Sequence, residues 1–328
     1  MPKRITDIRF VPLAAESLGV RSMCTYVETP DIHILIDPGV SLGQRFGLLP
    51  HPREYKEIMD CRARIRDFAS KTEVITISHY HFDHITPAYT DYAWNLSNFD
   101  VARQIYENKT ILAKNARASI NPSQRRRGWM LKKSMGNFFK TFEVADGKAF
   151  TYGKTKMKFS EPVFHGEENS PLGWVIMLTI EFEGQKVMHT SDVEGPILDE
   201  TLEIILSESP SITYVSGPPL YLMGYSVKED TIKRGSENLS KLVERIPTVI
   251  LDHHLLRAEK WRESLSNLFE AAERVGHKVI TAAEFLGEPN NFLEVRRREL
   301  YEFEKPSESF MKWSSLQALK QKEIMPPI

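Results

Sequence analysis

The hydrophobic positions change period along the chain, and the changes mark its elements. Residues 24–27 and 32–36 are short runs rich in β-branched and aromatic side chains. The intervening Glu28-Thr29-Pro30-Asp31 is a turn composition, so the pair predicts a hairpin. From Pro52 to about Ser70, Tyr55, Ile58, Met59, Ala63, Ile65 and Phe68 recur at helical spacing. Residues 73–78 then read as a short buried strand. Downstream, 174–182 and 186–189 are two β-rich runs joined by Glu183-Gly184-Gln185, a second hairpin. Residues 212–215 and 248–251 predict further strands, followed by amphipathic helices at about 228–245 and 257–275. A charged stretch at 291–304 reads as a helix that stops at Lys305-Pro306-Ser307. Strand and helix in alternation build a layered α/β domain.

Composition narrows the class. With 41% hydrophobic and 27% charged residues, the chain has the balance of a folded protein rather than a disordered one. The stretch MPKRITDIRF lacks the apolar run and cleavage site of a leader, and no run approaches about 18 apolar residues. A cytoplasmic protein with no membrane partner is the expectation. Cys24 and Cys61 stand alone, outside any CxxC pattern, which excludes a disulfide framework and predicts two core residues. A net charge of -1 gives no global field for a polyanion or a membrane, so any such signal must be local.

The densest chemistry is His79-Tyr80-His81-Phe82-Asp83-His84, placed where the predicted strand 73–78 ends. In an extended start, residues two apart point the same way, so His79 and His81 converge on one metal ion. The turn that follows lets Asp83 and His84 face a second ion beside it. Further ligands are expected at the ends of other strands. His165 precedes a glycine and would complete three nitrogens on the first ion. Asp192, after the second hairpin, could bridge both ions. Asp252-His253-His254 follows the strand 248–251, and one of its histidines caps the second ion. His253 is the nearer to the strand end and is preferred. His254 is then left to hydrogen-bond substrate or act as a general acid.

HYHFDH resembles the HxHxDH signature of the metallo-β-lactamase superfamily. The ordered series Asp37, His79/His81/Asp83/His84, His165, Asp192 and His253 matches that superfamily's five motif positions. Residues 16–22 and 252–257 are also similar to a largely archaeal branch of it. The resemblance implies an α/β fold, the αββα sandwich, with metals at one edge between two sheets. It frames the chain as one domain, 1–328, with a basic insertion at about 85–160 and a helical C-terminal extension at about 285–328. It also implies that Asp37 orients the ligand loop rather than binding metal. Oxygen-reducing members with a di-iron site carry HxExD; here the second position is His81, which argues against a redox role.

Two divalent ions on nitrogen and carboxylate ligands lower the pKa of a bridging water towards neutrality, supplying a hydroxide without a Ser or Cys nucleophile. Asp83 and Asp192 would orient it. The donor set suits zinc and also accepts iron or manganese. The substrate signal is local: residues 108–142 carry nine basic residues and no acidic one, interleaved with Trp129, Phe138, Phe139 and Phe142. That composition fits an anionic substrate, a phosphoester or phosphodiester such as a nucleic acid or nucleotide. Arg21 and Arg257 are further candidates for anion contact. The plain alternative is a solvated insertion, or a lid whose charges pair with acidic residues elsewhere. A thioester, lactone or lactam hydrolase would use the same metals, and a non-catalytic nucleic-acid or protein binding module is a reading of another class.

Overall fold

Two seven-stranded sheets lie face to face in the computed structural model, which describes residues 4, 5 and 7–328. The stretch examined above for a leader therefore begins outside the described residues. The first sheet runs in chain order. It contains β1 (Arg4–Ile5), β2 (Ile8–Pro12), β3 (Thr25–Glu28), β4 (His33–Ile36), β5 (Val74–Ile77), β6 (Thr110–Ala113) and β7 (Thr141–Val144). Its first four strands are antiparallel and its last four parallel. The second sheet contains β8 (Ala149–Tyr152), β9 (Thr155–Phe159), β12 (Leu178–Phe182), β13 (Gln185–His189), β14 (Ile212–Ser216), β15 (Thr248–Asp252) and β16 (Lys278–Ile280). A separate ribbon is formed by β10 (Val163–Phe164) and β11 (Trp174–Val175). Strands β13 to β16 are parallel.

The helices follow from side-chain alternation. In β4, Ile34 and Ile36 face the opposite sheet and Leu35 faces outward; in β15, Ile250 faces inward and Val249 and Leu251 outward. Both faces are apolar, so both must be covered. Helix α1 (Pro52–Ala69), α2 (Phe99–Tyr106) and α3 (Pro122–Met135) cover the first sheet through Tyr55, Ile58, Ile65, Ile105 and Leu131. Helix α4 (Asp199–Glu208) and α5 (Glu229–Val243) cover the second, with the short α6 (Trp261–Ser264) and α7 (Ser266–Arg274). The chain finishes in α8 (Ala282–Leu286), α9 (Arg297–Phe303), α10 (Glu308–Ser314) and α11 (Ala318–Glu323). The layers are αββα. Among the described residues, no helix is long and apolar enough to cross a membrane.

Four expectations shift. The run 174–182 divides because the Ile176 N–H donates to the Ser78 carbonyl, which releases β11 to its ribbon while β12 joins the sheet. The pattern at 257–275 divides into a 3-10 turn, α6 and α7. At 291–304 only α9 is helical, since residues 291–296 fold as turns around the buried Glu294. The span 85–160 supplies strands to both sheets, so the basic stretch proper is narrower and centres on α3.

Candidate metal centre

The parallel strands β5, β13 and β15 end on the same edge of the sandwich, and the chemistry sits in the loops that follow. Asp37 ends β4 in a left-handed conformation (φ 48°), and Gly39 lets the metal loop cross it: a Cβ there would lie 2.2 Å from the Ile85 nitrogen. Ser191, Glu194 and His253 are also left-handed, at φ 57°, 53° and 65°. Such backbone costs of order 1–3 kcal/mol per residue and clusters at functional sites. Asp252 holds the His253 turn in place. Its Oδ1 accepts the backbone N–H groups of His253 and Ser17, and its Oδ2 that of Ala282.

Asp192 lies at the centre. Its Oδ2 is 3.2 Å from Nε2 of both His84 and His165 and 3.7 Å from His79 Nε2; its Oδ1 is 3.5 Å from His253 Nε2. None of those four approaches is aligned as a hydrogen bond, and Nε2 of His79, His84, His165 and His253 and Asp192 Oδ1 are buried without a partner. Buried polar atoms are normally satisfied, so five orphans aimed at one space are the mark of a cation site. Donor atoms of His79, His81, His165 and Asp192 lie within 4.8 Å of one another, as do those of Asp83, His84 and His253. Asp192 also groups with His253 and His254. All the sequence-predicted metal ligands, with His254, are thus brought together on one edge. Imidazole and carboxylate in these numbers fit zinc, iron or manganese.

Neighbours fix the rings. Asp37 Oδ2 lies 2.8 Å from His84 Nδ1, and Asp37 Oδ1 accepts the Ser78 N–H at 2.7 Å. The hydroxyls of Ser78 and Ser191 lie 3.1 and 3.3 Å from His79 Nδ1. His254 Nε2 is 3.4 Å from Asp192 Oδ2, and its Nδ1 is 3.4 Å from Glu194, which also approaches His165 Nδ1 at 3.6 Å. Ser78, Ser191 and Glu194 were not singled out in the sequence. The one available signal was that Ser191 and Glu194 share a loop with Asp192.

Burial pushes His81 down to about 3, and His253 and His254 each to about 4. Their imidazoles are therefore neutral at pH 7, with lone pairs free to bind metal. Burial also drives His79 well down, with His84 and His81 adding to it. Burial opposes the charged form of His84 too, but Asp192 and Asp37 outweigh it and raise that ring. Burial would raise Asp83 and Asp192; the surrounding histidines, His84 foremost, hold both below the usual carboxylate range. Glu194, desolvated beside Asp192, is pushed up to about 7.

The two arginines considered for anion contact are engaged elsewhere. Arg21 forms a two-pronged pair with Glu294 at 2.6 and 2.7 Å, and Arg257 is buried against Glu16 and the Tyr221 hydroxyl. Glu16 in turn lies 3.7 Å from His253 Nδ1. Arg257 thus braces the His253 turn through Glu16, while Arg21 is held by Glu294.

The model of the metallo-beta-lactamase superfamily matches residues 18–87. A UPF0282 protein of Methanopyrus kandleri is 41% identical over 294 residues, covering 89% of this chain and 99% of that protein. Another from Methanocaldococcus jannaschii is 42% identical over 295 residues, 89% and 96% of the two chains. Among solved structures, the metallo-beta-lactamase fold protein YhfI from Bacillus subtilis aligns with a TM-score of 0.50 at 14% identity, covering 84% of this chain and 96% of that one. That likeness shows the fold.

Proposed function

We infer that this chain, which belongs to the UPF0282 family of the metallo-beta-lactamase superfamily, is a binuclear metal-dependent hydrolase of phosphoesters. The reading rests on one observation: the unpartnered buried nitrogens of four histidines and Asp192 Oδ1 face a common space. His79, His81 and His165 would hold one ion, Asp83, His84 and His253 the other, and Asp192 both. Two divalent ions in such a set lower the pKa of a bound water and polarise an ester oxygen. Asp83, whose side chain is 17% exposed, and Asp192 would orient the attacking water. His254, neutral and held between Asp192 and Glu194, would hydrogen-bond the substrate through its ring N–H. Zinc suits the donors best, with iron and manganese also accepted.

Phosphoester is favoured over carboxylic ester by the charge beside the loop. The Arg127 guanidinium lies 4.4 Å over the Phe82 ring, within the HYHFDH run, and is held by burial and by the charge of Asp83. The test is metal content per chain, with turnover of bis(p-nitrophenyl) phosphate and p-nitrophenyl acetate on the same sample. The expected result is about two ions and phosphodiester turnover that chelation abolishes. Acetate turnover alone would transfer the site to thioester, lactone or lactam substrates. Phosphodiester turnover that survives complete metal removal would refute the proposal.

A further inference from the structure

A groove of about 1070 Å³ runs beside α3, between that helix, residues 115–117 and β7. It is larger than the roughly 300–1,000 Å³ usual for small-molecule pockets. Arg117, Arg125, Arg126, Lys132 and Lys133 line it, and no acidic residue does. All five are exposed, and among the described residues none forms an ion pair with a carboxylate; the nearby pairs are Arg103–Glu107 and Lys114–Asp146. Among the described residues, pairing with carboxylates elsewhere in the fold is therefore not what holds these charges, which stand in solvent. Five like charges with no carboxylate between them make a locally positive field. Trp129 stands among them, 58% exposed, with Lys133 Nζ 4.7 Å over its ring; Lys132 Nζ lies 4.6 Å over Phe142.

We propose that this groove docks a single strand of nucleic acid, with phosphates on the five cations and an unpaired base on Trp129. Repeated cations beside an open aromatic face are what a single strand requires, because every base has a face that stacks. A membrane fits less well. An interfacial helix must offer its apolar side to lipid, whereas Leu131 and Met135 of α3 are buried against the first sheet. Gly128 fixes how the helix sits, since a Cβ there would lie 2.9 Å from both Ala116 Cβ and the Tyr80 ring. Tyr80 belongs to the metal loop, so the helix that lines the groove also abuts that loop. Delivery of a docked strand to the metals rests on the hydrolase reading; docking itself does not.

The experiment is fluorescence anisotropy of a labelled 12-nucleotide single strand with the full chain, as purified and again after chelation. Saturable binding is expected in both. Five phosphate contacts on a single strand give a log–log salt slope of about -3.5, a loss of roughly 100-fold between 50 and 200 mM salt. Trp129→Ala should weaken binding about 5- to 100-fold and Trp129→Phe much less. The double variant Arg125→Glu/Arg126→Glu should abolish it. Circular dichroism and thermal melting verify that each variant is folded. No saturable binding at 50 mM salt, affinity unmoved by these variants, or equal affinity for phosphatidylserine vesicles or poly-glutamate would each overturn the proposal. Because docking is read without metal, its failure leaves turnover of a small phosphodiester untouched, and failed turnover leaves docking intact.

Discussion

Replacing Asp37 by asparagine separates the two metal positions, and its effect can be worked out atom by atom. Asp37 Oδ1 accepts the buried Ser78 N–H, and Oδ2 accepts the Ser78 hydroxyl and faces His84 Nδ1. In Asp37→Asn the Ser78 N–H still needs an acceptor, so the amide oxygen takes that place and the NH2 group turns to Nδ1. A donor there makes Nδ1 the acceptor and moves the ring proton to Nε2. That is the atom 3.2 Å from Asp192, and protonated it has no lone pair for a metal. Loss of an outer partner costs about 10–100-fold in metal affinity, and inverting the tautomer places this change near the upper end. About 100-fold corresponds to about 2.7 kcal/mol. The backbone is not the cause, because asparagine tolerates the left-handed conformation at position 37. The other ion should be spared: the Ser78 hydroxyl loses Asp37 Oδ2 as acceptor, but it can accept the second amide N–H and donate to Ser191 Oγ, 2.7 Å away, so both hydroxyl oxygens stay available to His79 Nδ1. Chelator competition, followed by metal counting, should show one ion leaving at about 100-fold lower chelator than in the parent. Two ions held as tightly as before, or both lost together, would refute the reasoning.

His253→Ala should lower metal content from about two ions to one, whereas His254→Ala should keep both and lose about 10²- to 10³-fold in turnover; the reverse pattern would exchange their roles. Arg297→Met should destabilise the fold by about 3–5 kcal/mol in guanidinium titration, because it strands Glu54, its fully buried partner at 2.7 and 2.8 Å. Adding Glu54→Gln removes the stranded charge while retaining the cap on α1, and should recover most of the loss. Burial would raise Glu294, but Arg21, Arg257 and Arg297 hold it down to about 2, against 4.5 for the free side chain. Its stabilising contribution is complete above about 4.5 and is lost as pH falls towards about 2. Glu294→Gln should therefore be less stable than the parent at pH 7, with the gap closing by pH 2; a gap independent of pH contradicts the assignment.

The parts legible in the sequence are those written in local pattern. The hairpin of β3 and β4, the helix α1 and the buried strand before HYHFDH all followed from spacing, because each buries a face set by its own period. The convergence of His79 to His84 with Asp192 and His253 was accessible because each follows one of the parallel strands β5, β13 and β15, which end on one edge; His165 follows the separate ribbon strand β10. What spacing does not carry is the partner. Arg21 and Arg257 read as free cations until Glu294 and Glu16, distant in sequence, came to meet them. Glu194 carries no periodic signal at all. The break at Ile176 is imposed by a hydrogen bond to Ser78, a residue almost a hundred positions away. Similarly, the turns at 291–296 serve the buried Glu294 rather than any helical propensity.

The site's donors are split between the beginning and the end of the chain. The HYHFDH segment emerges from synthesis about 170 residues ahead of His253, an interval of roughly 10–30 s at typical elongation rates. During that time a nascent chain carries half a metal site, with three imidazoles in six residues and nothing to close over them. Asp252, which sets the His253 turn, waits longer still for the N–H of Ala282. On the binuclear reading, metal capture would thus be a late event in the life of each molecule. Cells starved of the ion should accumulate finished, folded chains rather than stalled fragments.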